Sequence, residues 1–576
     1  MSIRSPRCRS LAAKFTIVAL VAAFALVTSV KAQAQGSKMK PIAVVAINSI
    51  NNIMDDVDFA GTLAGKEDLS NQVRPFVGMI QGLDSDQPIG LVLQSDGIVP
   101  GGAICVPCTN LKAMIDGMAM FGVTHEDGPN GTMQIGAQGQ TVFAREADGW
   151  AYISMAPEML DSLPADPAAL LGALTKEYDI AIRLSVQNIP EAYKQMALSQ
   201  LEAGMQAGMQ KLDTETDEQF EARQEMAKVQ VDQLKQAAQD LDELTLGVAV
   251  DSVQQRAYLD IAYTAVAGSK LAEQIAINAD PKTDFAGFFQ PDAAMMMSFA
   301  SKVSESDVAQ MEQMFGAMLK QVETAIDQES DLENEEDRQA VKSAVSDFME
   351  ALKSTMMAGK MDGGAVLNMS PTSLSFVAGG FVGDPAKVES GLKKLADVAK
   401  GVATKEGEDF PAINWNSGSH QDVQFHTVQI PSPDSEDEKG VRQMFGDTID
   451  VAVGIGKESA YVAFGRDCLD ALKRVMDVSA ASPQKSVAPM EMTFSLSQIM
   501  TAVAGLMDDE ENNKPMIEMM ANMLGNEAKG RDHVRMVVQI IPNGGRVRIE
   551  VEEGVLRAIG MSAMAAQAEA AGAGGF

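Results

Sequence analysis

The stretch AYISMAPEMLDSL at residues 151–163 returns as AYVAFGRDCLDAL at residues 460–472. Ala151-Tyr152, Leu160-Asp161 and Leu163 reappear as Ala460-Tyr461, Leu469-Asp470 and Leu472, all with one offset. Ile182, Leu184, Ser185 and Ile189 reappear almost as far along, as Met492, Phe494, Ser495 and Ile499. Two distant segments that share nearly one offset are the signature of a duplicated unit.

Working outward, four apolar runs each lead into a helical stretch: Ile42–Ile47, Ile180–Leu184, Met295–Phe299 and Met490–Phe494. Ser or Asn stands near each junction, where a side-chain oxygen can cap the first free amides of a helix. After each run come two stretches of 3.6-residue periodicity and then a pair of strand-like runs. The pairs are Gly90–Leu93 with Ala103–Val106, Leu246–Val250 with Tyr258–Tyr263, Gly364–Leu367 with Leu374–Val377, and Val534–Ile541 with Arg546–Val551. Pro542-Asn543-Gly544-Gly545 between the last two spells a tight hairpin. Extra strands, Thr132–Ile135 and Gln140–Arg145, then Val423–Ile430 and Ile449–Ile455, accompany the two copies of the Ala-Tyr strand.

The pattern predicts an α+β fold, internally duplicated, with antiparallel sheets covered by helices. It comprises four strand–helix–helix–strand–strand–helix units in two halves. Strand alternation predicts one apolar face per sheet, and helices cover that face. Residues 35–280 form the first half (units 41–165 and 177–280). Residues 281–292, with Pro281 and Pro291, link it to the second half at 293–563 (units 293–476 and 487–563). An Ala/Gly-rich tail, 564–576, follows. The Glu-, Gln-, Lys- and Ala-rich helical stretches 190–242 and 303–358 either project as arms or pack on the sheets.

Residues 1–34 read as a signal peptide. Arg4, Arg7, Arg9 and Lys14 precede an uncharged, mostly apolar run from Phe15 to Val30, and Ala32-Gln33-Ala34 gives the small-x-small cleavage pattern. No later segment has the ~20 apolar residues of a membrane span. The expectation is an exported chain of the periplasm, cell surface or exterior. Net charge is -33, and loss of five basic residues with the signal deepens it to about -38. Such a chain is repelled by nucleic-acid phosphates and by anionic lipid headgroups.

Three cysteines remain after cleavage. Cys105-Val106-Pro107-Cys108 is a candidate disulfide in an oxidising compartment; a redox pair and half of a zinc site are the alternatives. The four His are scattered, and Cys468 reads as a core thiol because Met159 holds its place in the sister copy. Acidic runs at Asp213–Glu221, Asp327–Asp337, Asp434–Glu438 and Asp508–Glu511 lack a calcium-loop frame and offer at most weak divalent-cation binding. The 38 methionines include Met295-Met296-Met297, Met490 with Met492, and Met516, Met519, Met520 and Met523. Methionine fills cores and lines adaptable apolar surfaces; thioethers can also hold Cu(I). Several stand where the sister copy has Leu, Ile or Phe, which is core usage. G-x-S-x-G, H-E-x-x-H and phosphate-loop patterns are missing. Ser390-Gly391-Leu392-Lys393 spells S-x-x-K without its S-D-N and K-T-G partners. No catalytic, cofactor-binding or metal-binding residue is therefore assigned.

The signal, the composition and the run Asp58-Phe59-Ala60-Gly61 … Lys66-Glu67-Asp68-Leu69 resemble exported bacterial proteins of the planctomycete type, a family with no assigned activity. The resemblance implies location only. The functional expectation is a non-enzymatic binding or structural protein with a protein partner. The alternatives are a carrier of lipid or another apolar ligand in a Met-lined groove, and a thiol redox or hydrolytic enzyme. A stripe of unpaired apolar side chains on one sheet face would favour the carrier.

Overall fold

The computed structural model describes residues 39–572, apart from 64, 67, 98–99, 138, 165, 212–215, parts of 305–333, 433–438, 508–513 and 529. The signal segment 1–34 lies outside the described residues, as do Asp434–Glu438 and Asp508–Glu511. Among the described residues no helix is long and apolar enough to cross a membrane. The protein is α+β, with extensive antiparallel pairing and helices packed on it. It divides into two compact units: residues up to Ile50 with Pro75–Lys176 and Ile182–Ser199, and Asn51–Arg74 with Glu177–Ala181 and Gln200 onward.

The first unit is built on β1 (Lys40–Ile47), β2 (Ile89–Ser95), β3 (Pro100–Pro107), β4 (Thr124–Asp127), β5 (Met133–Ala137), β6 (Gln140–Ala147), β7 (Trp150–Ser154) and most of β8 (Ile180–Ser185). Their antiparallel order is β1-β2-β3-β7-β6-β5-β4, and β8 pairs with β1. Asn110 accepts a hydrogen bond from the Ala113 amide (2.9 Å) and so starts the helix Leu111–Gly117. Leu111, Met114 and Ile115 share one side of that helix. They are buried with Cys108, Ile135, Ala144 and Ala151.

The second unit carries β9 (Leu241–Asp251), β10 (Arg256–Ala265), the two-residue β11 (Lys282–Thr283), β12 (Met295–Lys302), β13 (Lys360–Ser370), β14 (Ser373–Phe381), β15 (Ile413–His420), β16 (Val423–Pro431), β17 (Thr448–Ile455), β18 (Ser459–Gly465), β19 (Lys485–Ser486), β20 (Met490–Ser495), β21 (His533–Ile541) and β22 (Gly544–Glu552). The order is β9-β10-β22-β21-β20-β12-β13-β14-β18-β17-β16-β15, antiparallel throughout. β11 pairs only with β19.

Residues 281–292 enter this unit's interior. Phe285 and Phe288 join a core with Val366, Val377, Phe425, Ala452 and Ala463. The helix Cys468–Ala481 closes that core with Cys468, Ala471, Leu472, Val475 and Met476. This spacing of three and four residues is one helix face. The helical stretches contain Glu191–Gly208, Asp217–Asp240 and Glu335–Met357. The last packs on Pro385–Glu406 through Asp347, which accepts from Lys387 (3.1 Å), Ser390 (2.7 Å) and Lys394 (2.5 Å).

Candidate binding face

Because successive strand residues face opposite ways, the ladders of the second unit sort its side chains into two sets. One set contains Asp260 and Ala262 of β10, Arg546, Arg548 and Glu550 of β22, Arg535 and Val537 of β21, and Glu491 and Thr493 of β20. Met296 and Ser298 of β12 and Val366 of β13 continue it. This set faces inward: Asp260 is 0% exposed, and Ala262, Met296, Ser298, Val366, Thr493, Val537 and Glu550 are all buried.

The other set is Leu244, Leu246 and Val248 of β9, Leu259 and Ile261 of β10, Val547 and Ile549 of β22, Met536 and Val538 of β21, Met492 and Phe494 of β20, Met295 and Met297 of β12, and Ala365 and Leu367 of β13. None of these is buried. Leu246 is 43% exposed, and Val248 and Ile261 42%. Even Ala365, whose single methyl a covering helix would hide, retains solvent contact. No charged side chain stands in this set.

The expectation that helices cover the apolar face is thus reversed in β9, β10, β22, β21 and β20. The polar set is inside, and the large apolar set is exposed at Leu244, Leu246, Val248 and Ile261 and half-buried on β22, β21 and β20. The reason is electrostatic. Asp260 receives both Arg548 Nε (2.8 Å) and Nη2 (2.7 Å) and the Tyr178 hydroxyl (3.0 Å). Arg546 and Arg548 also reach Glu177 (2.6 and 3.3 Å). Arg548 lies 4.0 Å from the centre of the Tyr258 ring. Further along, Glu550 joins Arg256 (2.9 Å) to Arg535 (2.9 Å), which also pairs with Glu491 (2.8 Å). Removing these charges from water is tolerated only with such pairing, although Nε of Arg256 and of Arg546 has no hydrogen-bond partner among the described residues. The Asp260 hydrogen bond holds the Arg548 guanidinium above its ordinary pKa; burial first, then the neighbouring Asp260 and Glu177, push up that of Tyr178. Tyr178 also lies across Gly247, where any Cβ would collide with its ring. Only glycine admits that approach.

A second polar group sits on the helix Ile50–Leu63. Asp56 hydrogen-bonds Asp179, which also accepts from the Val250 amide (2.7 Å). Burial, then the Asp179 and Asp55 charges, raise the Asp56 carboxyl to about 7. Its neighbours account for the spacing of Asp58 and Gly61 ahead of Lys66 and Ser70. Asp58 accepts from the Ser70 amide (2.7 Å) and hydroxyl (2.6 Å) and from Arg74 (3.2 Å). Gly61 leaves room for the Lys66 carbonyl, 2.5 Å from where a Cβ would lie. Asp58 and Gly61 thus close a turn.

Cys105 and Cys108 are free thiols, both buried. The structure does not bring them together. Cys108 belongs to the core under Leu111–Gly117, with Val106 beside it, whereas Cys105 pairs with Gly90 and Tyr152 on the opposite face. Burial pushes the Cys105 thiol up to about 12 and Cys468 up to about 11, which opposes the nucleophilic thiolate. Ser390 gives its hydroxyl to Asp347, and Lys393 pairs with Glu389 (2.6 Å), so the S-x-x-K residues point to different partners. Among the described residues no three His, Cys, Asp or Glu are grouped as metal ligands. Met296 is buried, Met295, Met297, Met490 and Met492 lie on the accessible face, and Met516 and Met519 are exposed. Searches of protein-family models, curated proteins and solved structures found no match to this chain.

Proposed function

We propose that this protein is a non-enzymatic binding protein acting outside the cytoplasm, and that its working surface is the accessible apolar face running from β9 to β13. One observation carries the reading: the large apolar side chains are exposed on β9 and β10 and only half-buried on the next five strands, while Asp260, Arg548 and Glu550 are turned inward. A solvated sheet face ordinarily presents polar residues. Contiguous exposed apolar patches of several hundred Å² mark interaction sites. At ~4.8 Å between strands and ~6.8 Å between same-face residues, the whole face, exposed and half-buried residues together, spans ~29 by ~14 Å, on the order of 400 Å².

The test uses the uncharged dye Nile red and the double variant Leu246→Lys/Ile261→Glu. Leu246 and Ile261 are cross-strand partners, so the new charges attract each other and spare the sheet. The native protein is expected to bind dye saturably, and the variant to lose at least tenfold in affinity with unchanged far-ultraviolet circular dichroism. Equal binding by both proteins would place the dye elsewhere and overturn the reading.

We further infer that the chain arose by internal duplication into two halves of two units each. The pairing order β1-β2-β3-β7-β6-β5-β4 recurs, in chain order, as β12-β13-β14-β18-β17-β16-β15. β8 lies beside β1 as β20 lies beside β12. β9 and β10 form a hairpin as β21 and β22 do, and β10 and β22 pair with each other. Under this reading the apolar face joins the last strands of both halves to the first strands of the second.

A further inference from the structure

We infer that the occupant of the apolar face is the hydrocarbon of a lipid without net charge, held through acyl chains laid across β10, β22, β21, β20 and β12. The inference rests on the proposed working surface and adds the chemistry of its ligand. Three observations select this class.

The first is the poverty of hydrogen-bonding groups. On these five strands the face is Ala257, Leu259, Ile261 and Tyr263; Gly545, Val547, Ile549 and Val551; Val534, Met536, Val538 and Ile540; Met490, Met492 and Phe494; and Met295, Met297, Phe299 and Ser301. Only Tyr263 and Ser301 carry a polar side-chain atom. A protein partner of ordinary size forms about ten direct hydrogen bonds across its interface, and the interior strands of a sheet have spent their backbone groups on one another. Acyl chains require none.

The second is charge. The face bears no cation to pair with a phosphate or carboxylate, and the chain as a whole carries -33. Anionic lipids are repelled. A second copy of this chain would bring the same negative charge to the same place.

The third is dimension and adaptability. An acyl chain spans half of a ~30 Å bilayer core, ~15 Å, which is about three strand spacings at ~4.8 Å. The face is wide enough for it and long enough for chains to lie side by side. Met295, Met297, Met490, Met492 and Met536 supply flexible, polarizable contacts that fit chains of differing length and unsaturation.

The test is lipid extraction by the purified full chain. Phosphatidylcholine vesicles carrying a trace of fluorescent diacylglycerol are incubated with protein and removed by flotation. The protein fraction is then read for label. Capture of diacylglycerol by the native protein is expected, with at least a tenfold loss in Leu246→Lys/Ile261→Glu. Val478→Glu, which changes an exposed apolar residue on the Cys468–Ala481 helix, should leave capture unchanged.

Label that stays with the vesicles while Nile red still binds the native protein but not the double variant would overturn the lipid assignment and leave the working surface standing. Loss of dye binding as well would remove both. Capture of fluorescent oleate as strong as that of diacylglycerol would overturn the selection against anions. A stable dimer in sedimentation equilibrium at 20 mM sodium chloride, where repulsion between copies is least screened, dissolved by the double variant, would assign the face to a second copy instead.

Discussion

The carboxyl of Asp56 shows how one residue sets a pH dependence. Its pKa is raised to about 7 by burial and by Asp179 and Asp55, so the folded protein holds a proton that the unfolded chain releases near pH 4. The stabilisation is therefore complete below pH ~4 and is lost as pH rises through about 7. Asp347 has the opposite sign. Hydrogen bonds, that from Lys394 foremost, pull it down to about 2, and its contribution is lost only as pH falls through that value. We expect the melting temperature to fall between pH 5 and pH 8, and Asp56→Asn to flatten that fall. An unchanged slope in the variant would refute the assignment. Thiol chemistry gives a second prediction at this scale. Cys105, Cys108 and Cys468 are buried and free, so iodoacetamide at pH 8 should leave the native chain unmodified at all three. After denaturation without reductant it should modify all three. If only Cys468 reacts, Cys105 and Cys108 are bonded.

At the scale of elements, the pair β10–β22 buries Asp260 and Glu550 among Arg256, Arg546 and Arg548. Arg548→Leu strands Asp260, whose remaining cation, Arg546, lies 3.4 Å away. Breaking a buried pair on one side costs about 3–5 kcal/mol, whereas replacing both partners with apolar groups is often neutral. Urea unfolding should show a loss of that size for Arg548→Leu and a clearly smaller one for Asp260→Leu/Arg548→Leu. Equal losses would mean that packing, not uncompensated charge, dominates. The same elements mark how far the sequence is legible. The strands β9, β10, β21 and β22 are readable because their apolar residues alternate, and Pro542-Asn543 turns where a hairpin is expected, with Asn543 in the left-handed region at φ 57°. β4 and β15 escape such a reading because THED and INWNSGSH carry no apolar period. The methionines of the candidate face stand out in the sequence, but which side of the sheet is accessible is not legible. Alternation separates two sets of residues and cannot say which is inside. The usual assumption puts Leu246 and Ile261 in the core, and Asp260 overturns it through partners 288 residues away at Arg548.

For the whole molecule, charge and the apolar face act against each other. A net charge of -33 on one chain raises the free energy of the compact state through self-repulsion and keeps copies apart in solution. The inward ion pairs around Asp260 and Glu550 are sheltered from counter-ions, whereas the excess of exposed carboxylates is not. Added salt should thus weaken the repulsion far more than the internal network. We expect the melting temperature to rise between 20 mM and 500 mM sodium chloride. We also expect self-association to grow over the same range, because the face that was protected by repulsion remains apolar. Sedimentation velocity at both salt concentrations separates the two effects. The native protein should sediment faster at high salt, and Leu246→Lys/Ile261→Glu should not, while both gain thermal stability. A melting temperature that falls with salt would show that exposed ion pairs outweigh the net repulsion. Association that persists in the double variant would place the sticky surface outside β9 and β10. If both expectations hold, the acidity of the chain has a physical role: it lets a protein carry an open apolar sheet in water without aggregating, and leaves that sheet free for an uncharged ligand.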